Sequence, residues 1–104
     1  MKLFIAAPFG NYLSYDNTIS VTGTWTLKHR AGVMKRLWRI AKSLRYDSKL
    51  QGWVNNLGLP NEGIHVGLEK TLPDQVLSIA GIERNDWIEL ESKIHENQSI
   101  EFNL

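Results

Sequence analysis

The chain has 104 residues, of which 42% are hydrophobic, and a formal net charge of +1, values typical of one small globular domain. It contains no cysteine, which excludes disulfides, thiolate chemistry and cysteine-based zinc sites. The charge is unevenly placed: residues 1–56 hold nine Lys and Arg against two acidic residues, whereas residues 57–104 hold three against nine. This asymmetry indicates either a face for an anionic ligand or two halves of the chain that complement each other.

The sequence carries no targeting or metal-binding signal. The apolar run that begins at Leu3 is too short for a signal peptide or a membrane span, so we expect a cytoplasmic protein with no membrane partner. The three histidines, His29, His65 and His95, lack the spacing of metal ligands. We therefore expect no bound metal.

The first predicted elements are two strands. The apolar run LFIAA (3–7) is followed by Pro8 and Gly10, which indicates a buried strand and then a loop. The segment TISVTGTWT (18–26) is rich in β-branched and aromatic residues and predicts a second strand. Its interior Gly23 indicates that another backbone or a ligand approaches closely.

A basic amphipathic helix is predicted next, from Gly32 to Tyr46, because apolar residues recur there at helical spacing. These apolar residues are Val33, Leu37, Ile40, Ala41 and Leu44, and the basic residues on the flanks are Lys35, Arg36, Arg39, Lys42 and Arg45.

The second half of the sequence alternates between helices and strands. Residues 63–72 have weak helical periodicity, 75–81 form a continuous apolar strand, 84–96 predict a clearer helix, and 99–104 begin a final strand. This alternation predicts a parallel α/β sheet. Because the last strand has no helix after it to protect it, we expect the chain to be part of a longer protein.

A family resemblance rests on several stretches taken together and in order. They are IAAPFG (5–10), VTGTWTLKHRAG (21–32) with KRLWRI (35–40), VNNLGLPNEGI (54–64), LSIAG (77–81) and IEFNL (100–104). In this order they resemble the dihydroorotate dehydrogenases, FMN-dependent TIM-barrel oxidoreductases of pyrimidine biosynthesis. The last stretch, for example, is similar to the start of the family's Glu-Leu-Asn-Leu-Ser-Cys-Pro-Asn signature.

The resemblance implies an α/β fold that is a partial (half) TIM barrel, with β/α units corresponding to the family's first four strands. Residues 1–104 would form this single domain. The resemblance also implies FMN as the cofactor and oxidation of dihydroorotate to orotate as the activity of the full-length protein. The chain would be an N-terminal fragment of such an enzyme.

The resemblance assigns the Asn-rich segment to the substrate. In the family, the first Asn of this segment lies over the flavin and donates a hydrogen bond to the planar substrate, and here that position is Asn55. The residues that the resemblance assigns to the substrate are Asn55, Leu57, Gly58, Asn61 and Asn103. The residues by themselves leave a different interpretation open, an Asx-type turn whose amides bond only their own backbone.

The resemblance assigns a second group of residues to FMN, all at C-terminal strand ends, where TIM-barrel sites are built. This group consists of Ala6, Ala7, Thr24, Ser78 and Asn103. The alternative is structural: small alanines for tight packing, a threonine suited to a strand, and polar groups that are satisfied within the protein.

The sequence also departs from the family's pattern. Asn11 stands where the family has a lysine that contacts both flavin and substrate, and the segment between Trp38 and Trp53 is longer and more helical than usual. The family's catalytic Ser or Cys and its phosphate-binding loops would follow Leu104. We therefore expect no catalytic residue within this chain and no turnover by the isolated chain.

Open sheet edges in such a half-barrel predict a homo-oligomer. The candidates for burial in the core or the interface are Phe4, Ile5, Val21, Ile79 and Phe102. A different class of function remains open, a small nucleic-acid-binding module that uses the basic run 28–49 with Trp38 and Trp53 for stacking. The acidic second half argues against it, because it would repel a polyanion.

Overall fold

A computed structural model describes residues 1–31, 44–55 and 60–104, and only the backbone of residues 44 and 53–55. The described elements are β1 (Leu3–Ile5), a 3-10 turn (Phe9–Asn11), β2 (Thr18–Thr26), β3 (Leu44–Asp47), β4 (Gly52–Asn55), α1 (Ile64–Lys70), β5 (Val76–Ala80), α2 (Arg84–Lys93) and β6 (Ile100–Phe102).

Four parallel strands form a sheet that curls like half of a barrel, in the order β1-β2-β5-β6. Representative pairs in its register are Ile5 with Ser20 in β1–β2 and Leu77 with Ile100 in β5–β6. The spatial order of these strands follows their order in the chain. The predicted mixed α/β fold with a parallel sheet is therefore confirmed.

Both helices contribute to one hydrophobic core on one face of the sheet. The core consists of Trp25, Leu27, Ile64, Leu77, Ile79 and Leu90. Ile64 of α1 and Leu90 of α2 are fully buried, as is Leu77 of β5, and each such side chain contributes about 1.5–3 kcal/mol by leaving water. Because side chains alternate along a strand, Ser78 between Leu77 and Ile79 points to the opposite face.

Helix α2 begins at a capping box. The Glu83 side chain accepts a hydrogen bond from the backbone of Asp86, and the Asp86 side chain accepts one from the backbone of Glu83, which satisfies two of the amides that a helix start leaves unpaired. The helix ends at Lys93, three residues earlier than the sequence predicts, because Ile94 already has extended backbone angles. The extra turn predicted for 94–96 is therefore wrong.

β2 has the predicted bounds, whereas the two outer strands, β1 and β6, are shorter than predicted. β1 ends at Ile5 rather than at residue 7, since Ala6 begins the loop that leads to the 3-10 turn, with its carbonyl accepting a bond from Gly10 at 3.1 Å. Of the residues expected to be buried, Val21 and Ile79 are buried and Ile5 is half-buried. Phe4 and Phe102 are 61% and 62% exposed, because they lie on the two outer strands of the sheet.

The end of the predicted basic helix is wrong. Leu44 and Arg45 belong to β3, which pairs in antiparallel fashion with β4. The turn between these strands is closed by the side chain of Asp47, which accepts backbone hydrogen bonds from Lys49 and Leu50 at 2.9 and 3.2 Å. Such an Asx turn reverses the chain and gives the backbone an alternative to a helix.

Residues 32–43, which carry the rest of the predicted helix and most of the basic run, lie outside the described residues. Within the part of the chain that the structure describes, no helix is long and apolar enough to cross a membrane.

Candidate functional site

A bulge in β2 shapes the face of the sheet opposite the helices. The register of β2 against β5 shifts between Thr22 and Trp25, so that Gly23 and Thr24 together stand opposite Ser78. Gly23 has φ of 109°, and a Cβ at this position would lie 2.5 Å from the carbonyl oxygen of Ser78. Only glycine fits here, and the bulge turns Thr24 towards β5, as bulges near functional sites often do.

Four polar side chains from three strands or their ends meet on this face, and we call them the inner-face cluster: Thr24, Ser78, Glu101 and Asn103. The Thr24 and Ser78 hydroxyl oxygens lie 3.1 Å apart. Ser78 donates to Glu101 Oε1 at 2.8 Å, and Asn103 Nδ2 donates to Thr24 Oγ1 at 3.0 Å. The backbone N–H of Asn103 also bonds the carbonyl of Ile79 at 2.9 Å, which fixes the residue beside the sheet.

The inner half of the cluster is buried and its outer half is exposed. Ser78 is 0% and Thr24 is 8% exposed, whereas Glu101 and Asn103 are exposed. Among the described residues, no hydrogen bond reaches Glu101 Oε2 or Asn103 Oδ1. The cluster therefore offers a carboxylate oxygen, an amide oxygen and the second N–H of the Asn103 amide to a bound molecule.

The structure brings together three of the residues that the resemblance assigned to FMN, Thr24, Ser78 and Asn103. The expected position of Ser78 at a strand end is wrong, because Ser78 is the middle residue of β5. Glu101 was not among the predicted site residues. A signal for it was present, because alternation in IEFN places Glu101 and Asn103 on one side of the strand and Ile100 and Phe102 on the other. What the sequence could not give is the register that sets Glu101 beside Ser78.

Asn11, at the position where the resemblance expects a lysine, pairs with the edge of β2. Its Oδ1 accepts from the Gly23 N–H at 2.7 Å, and its Nδ2 donates to the Gly23 carbonyl at 3.3 Å. The amide thus occupies the hydrogen-bonding groups that β1 would bond if it continued beyond Ile5. A neutral amide holds both a donor and an acceptor for this pairing, and a lysine ammonium has no acceptor.

Asn61 is a buried tether between the loop before α1 and the end of β2. Its side chain is 2% exposed; Oδ1 accepts from the backbone N–H of Thr26 and of Gly63 at 3.1 and 2.8 Å, and Nδ2 donates to Thr26 Oγ1 at 2.9 Å. Its backbone forms a bridge with Arg30. The bond to Gly63 is the local bond that the Asx-turn interpretation predicts. The bonds to Thr26 go beyond such a turn, because Thr26 lies 35 positions away in the sequence.

The other predicted site residues are not in the cluster. Ala6 is exposed and Ala7 is half-buried just after the end of β1. Asn55 is the last residue of β4, where its backbone pairs with that of Leu44. The remaining two, Leu57 and Gly58, lie outside the described residues.

The described residues include no group of three or more His, Asp or Glu side chains arranged to hold a metal ion. No protein-family model, no curated protein and no solved structure matches this chain.

Proposed function

We propose that residues 1–104 provide the first four strands of a dihydroorotate dehydrogenase-like, FMN-dependent TIM barrel, and that the inner-face cluster contacts the flavin or its substrate. The observation that carries this proposal is the convergence of Thr24, Ser78 and Asn103. Three residues taken from three separate motifs meet in one hydrogen-bonded group, on the face of the sheet opposite the helices, which would be the inner face of a barrel.

The chemistry of the cluster fits the edge of an isoalloxazine ring. That edge carries ring nitrogens and carbonyl oxygens, so it needs a neighbour that offers both donors and acceptors. Asn103 provides both, since one of its N–H groups and its Oδ1 have no hydrogen-bond partner among the described residues. When bound, FMN would supply the hydride acceptor, and the side chains of this chain would hold and orient it.

The Asn-rich segment has a divided role in this proposal. Asn55, Leu57 and Gly58 would cover the substrate, as the resemblance implies. Asn61, whose amide is hydrogen-bonded to Thr26 and Gly63, would hold the end of the segment against β2. Asn61 would therefore position the segment and would not touch the substrate itself.

Binding of FMN tests the proposal directly. Titration of FMN with the 104-residue protein should quench flavin fluorescence. The variant Asn103→Ala should bind about tenfold more weakly, which corresponds to about 1.4 kcal/mol and is within the range for the net contribution of one hydrogen bond. The matched control is Asn97→Ala, since Asn97 is an exposed turn residue. Equal quenching by both variants, or none by the wild type, would overturn the proposal.

Turnover of dihydroorotate is a separate question. The resemblance assigns the catalytic base to a position after Leu104, and loss of acid–base catalysis alone typically costs about 10²–10⁴-fold in rate. We expect no measurable oxidation of dihydroorotate by the purified 104-residue protein with FMN and an electron acceptor. Oxidation faster than that by free FMN would contradict the proposal that the catalytic base lies after Leu104.

A further inference from the structure

The hydrogen bonds of the inner-face cluster run in a single direction. A carboxylate only accepts, so the bond between Ser78 and Glu101 uses the one proton of the Ser78 hydroxyl. With that proton committed, the bond between the two hydroxyls must be donated by Thr24. Thr24 Oγ1 has then given its own proton and accepts from Asn103. The protons are ordered from Asn103 through Thr24 and Ser78 to Glu101.

We infer that Glu101 is the positioning residue that fixes the orientation of the Asn103 amide. The two ends of an Asn side chain have nearly the same shape, and only hydrogen-bonding partners decide which end faces Thr24. The carboxylate of Glu101, which can only accept, determines this orientation from three hydrogen bonds away. The two residues between them, Ser78 and Thr24, are 0% and 8% exposed. Water has little access to replace these bonds, so the order of the protons is transmitted.

This order sets what the cluster presents to a ligand. Asn103 keeps one N–H on Thr24, which leaves Oδ1 and the second N–H directed away from that hydroxyl, and Glu101 adds a carboxylate oxygen on the same side of β6. Two acceptors and one donor favour a ligand that brings N–H groups. Reversing the amide would exchange the acceptor and the donors at Asn103, and the site would lose this match.

The variant Glu101→Gln tests the inference. Glutamine has nearly the same shape, but it offers Ser78 either an acceptor or a donor, so the chain of protons has two allowed directions. We expect the two side-chain N–H signals of Asn103 in a ¹H–¹⁵N spectrum to shift or broaden as the amide exchanges between orientations. Their assignment comes from their loss in Asn103→Ala. The matched control is Glu91→Gln, an exposed glutamate on α2, which should leave these signals unchanged.

A second variant keeps the inference testable if Glu101→Gln does not fold. Ser78→Ala interrupts the same chain in the middle without adding atoms, and it should release the Asn103 amide in the same way. Unchanged Asn103 signals in Glu101→Gln or in Ser78→Ala, with the backbone signals of β5 and β6 retained, would overturn the inference.

The part of this inference that concerns the ligand rests on the proposed function. Measuring FMN binding beside the Asn103 signals distinguishes failure of the inference from failure of the proposed function. If both hold, Glu101→Gln weakens FMN quenching several-fold and Glu91→Gln does not. If the Asn103 signals respond but wild-type protein does not bind FMN, the positioning role stands and the flavin proposal fails. If FMN binds and the Asn103 signals do not respond, the positioning role fails and the flavin proposal stands.

Discussion

Three of the hydrogen bonds that the Asn61 side chain makes lie in a region that water does not reach. Two of them satisfy the backbone N–H groups of Thr26 and Gly63, and the third connects to the Thr26 hydroxyl. Buried backbone N–H groups without an acceptor are costly, so this one amide allows the loop before α1 to lie against β2.

Replacing Asn61 with alanine should therefore destabilise the fold. Two buried N–H groups would lose their acceptor, at about 1–3 kcal/mol for each, and we expect a total loss of at least about 2 kcal/mol in the free energy of unfolding. Urea denaturation followed by circular dichroism measures it. Asn97→Ala, at an exposed turn, should change the free energy by less than about 0.5 kcal/mol. A loss for Asn61→Ala no larger than for this control would contradict the tether.

Sequence alone could propose a role for Asn61 but could not choose between the two interpretations. The pattern PNEG contains the signals of an Asx turn, and the bond to Gly63 is the local bond that such a turn predicts. The bonds to Thr26 join residues 35 positions apart, and no local pattern encodes that distance. The same limit applies to Glu101, whose partner is set by the register of β5 and β6.

The bulge of β2 is the element on which the inner-face cluster depends. Without it, Thr24 would face the helices, as Thr22 does before the bulge: the Thr22 hydroxyl bonds Trp25 Nε1 at 3.2 Å and the Thr71 hydroxyl at 2.6 Å. Gly23 permits the change because its φ of 109° is unfavourable for any residue with a Cβ. The sequence indicated a close approach at Gly23, and the structure identifies the approaching group as the Ser78 carbonyl.

Gly23→Ala should destabilise the protein and disturb the cluster together. Backbone strain of this kind costs about 1–3 kcal/mol, and the new Cβ would lie 2.5 Å from the Ser78 oxygen. We expect a melting temperature lower by at least about 4–8 °C, the shift that 1 kcal/mol produces in a domain of this size. Gly52→Ala is the control, since its Cβ would meet the nearest atom at 3.7 Å. Equal melting temperatures for the two variants would show that the bulge tolerates a side chain.

Segments with one clear hydrophobic pattern formed the predicted strands and helices, and a segment whose pattern fits both a helix and a strand did not. The apolar run of β5 and the periodic segment of α2 form the predicted elements, because burial and local propensity agree there. The segment LRYD fits a basic amphipathic helix and a strand equally well. The segment forms a strand because it pairs with β4 and because the Asp47 turn reverses the chain between them. The periodicity of a segment carries no information about such a pairing partner.

The whole sheet has two outer strands, β1 and β6, and each has a single neighbour within the described sheet. Both carry exposed apolar side chains: Leu3 and Phe4 on β1 are 55% and 61% exposed, and Phe102 on β6 is 62% exposed. Beside β6, a groove of about 470 Å³ is lined by apolar side chains, among them Trp87 and Phe102, and by polar ones, among them Glu91 and Gln98. The ring centroids of Trp87 and Phe102 are 6.1 Å apart.

Such edges promote association between copies of the chain. An outer strand presents unpaired N–H and C=O groups, and exposed apolar residues beside them add a surface that gains free energy on burial. A pair of half-barrels related by twofold symmetry would cover the edges and the inner faces of both copies. The opposite charges of the two halves of the chain would add little, because exposed ion pairs contribute about 0–1 kcal/mol each.

We therefore expect the 104-residue protein, of 11.9 kDa, to form a dimer or a larger oligomer at micromolar concentration. Size-exclusion chromatography with light scattering measures the mass. Phe4→Lys should shift the population towards the monomer, because a lysine on an outer strand opposes pairing with another strand. Tyr15→Lys is the matched control: Tyr15 is 63% exposed but lies in the loop before β2, so its replacement adds the same charge away from the sheet edge. A wild-type monomer that is stable to heating, or equal masses for the two variants, would mean that the edge of β1 takes no part in association.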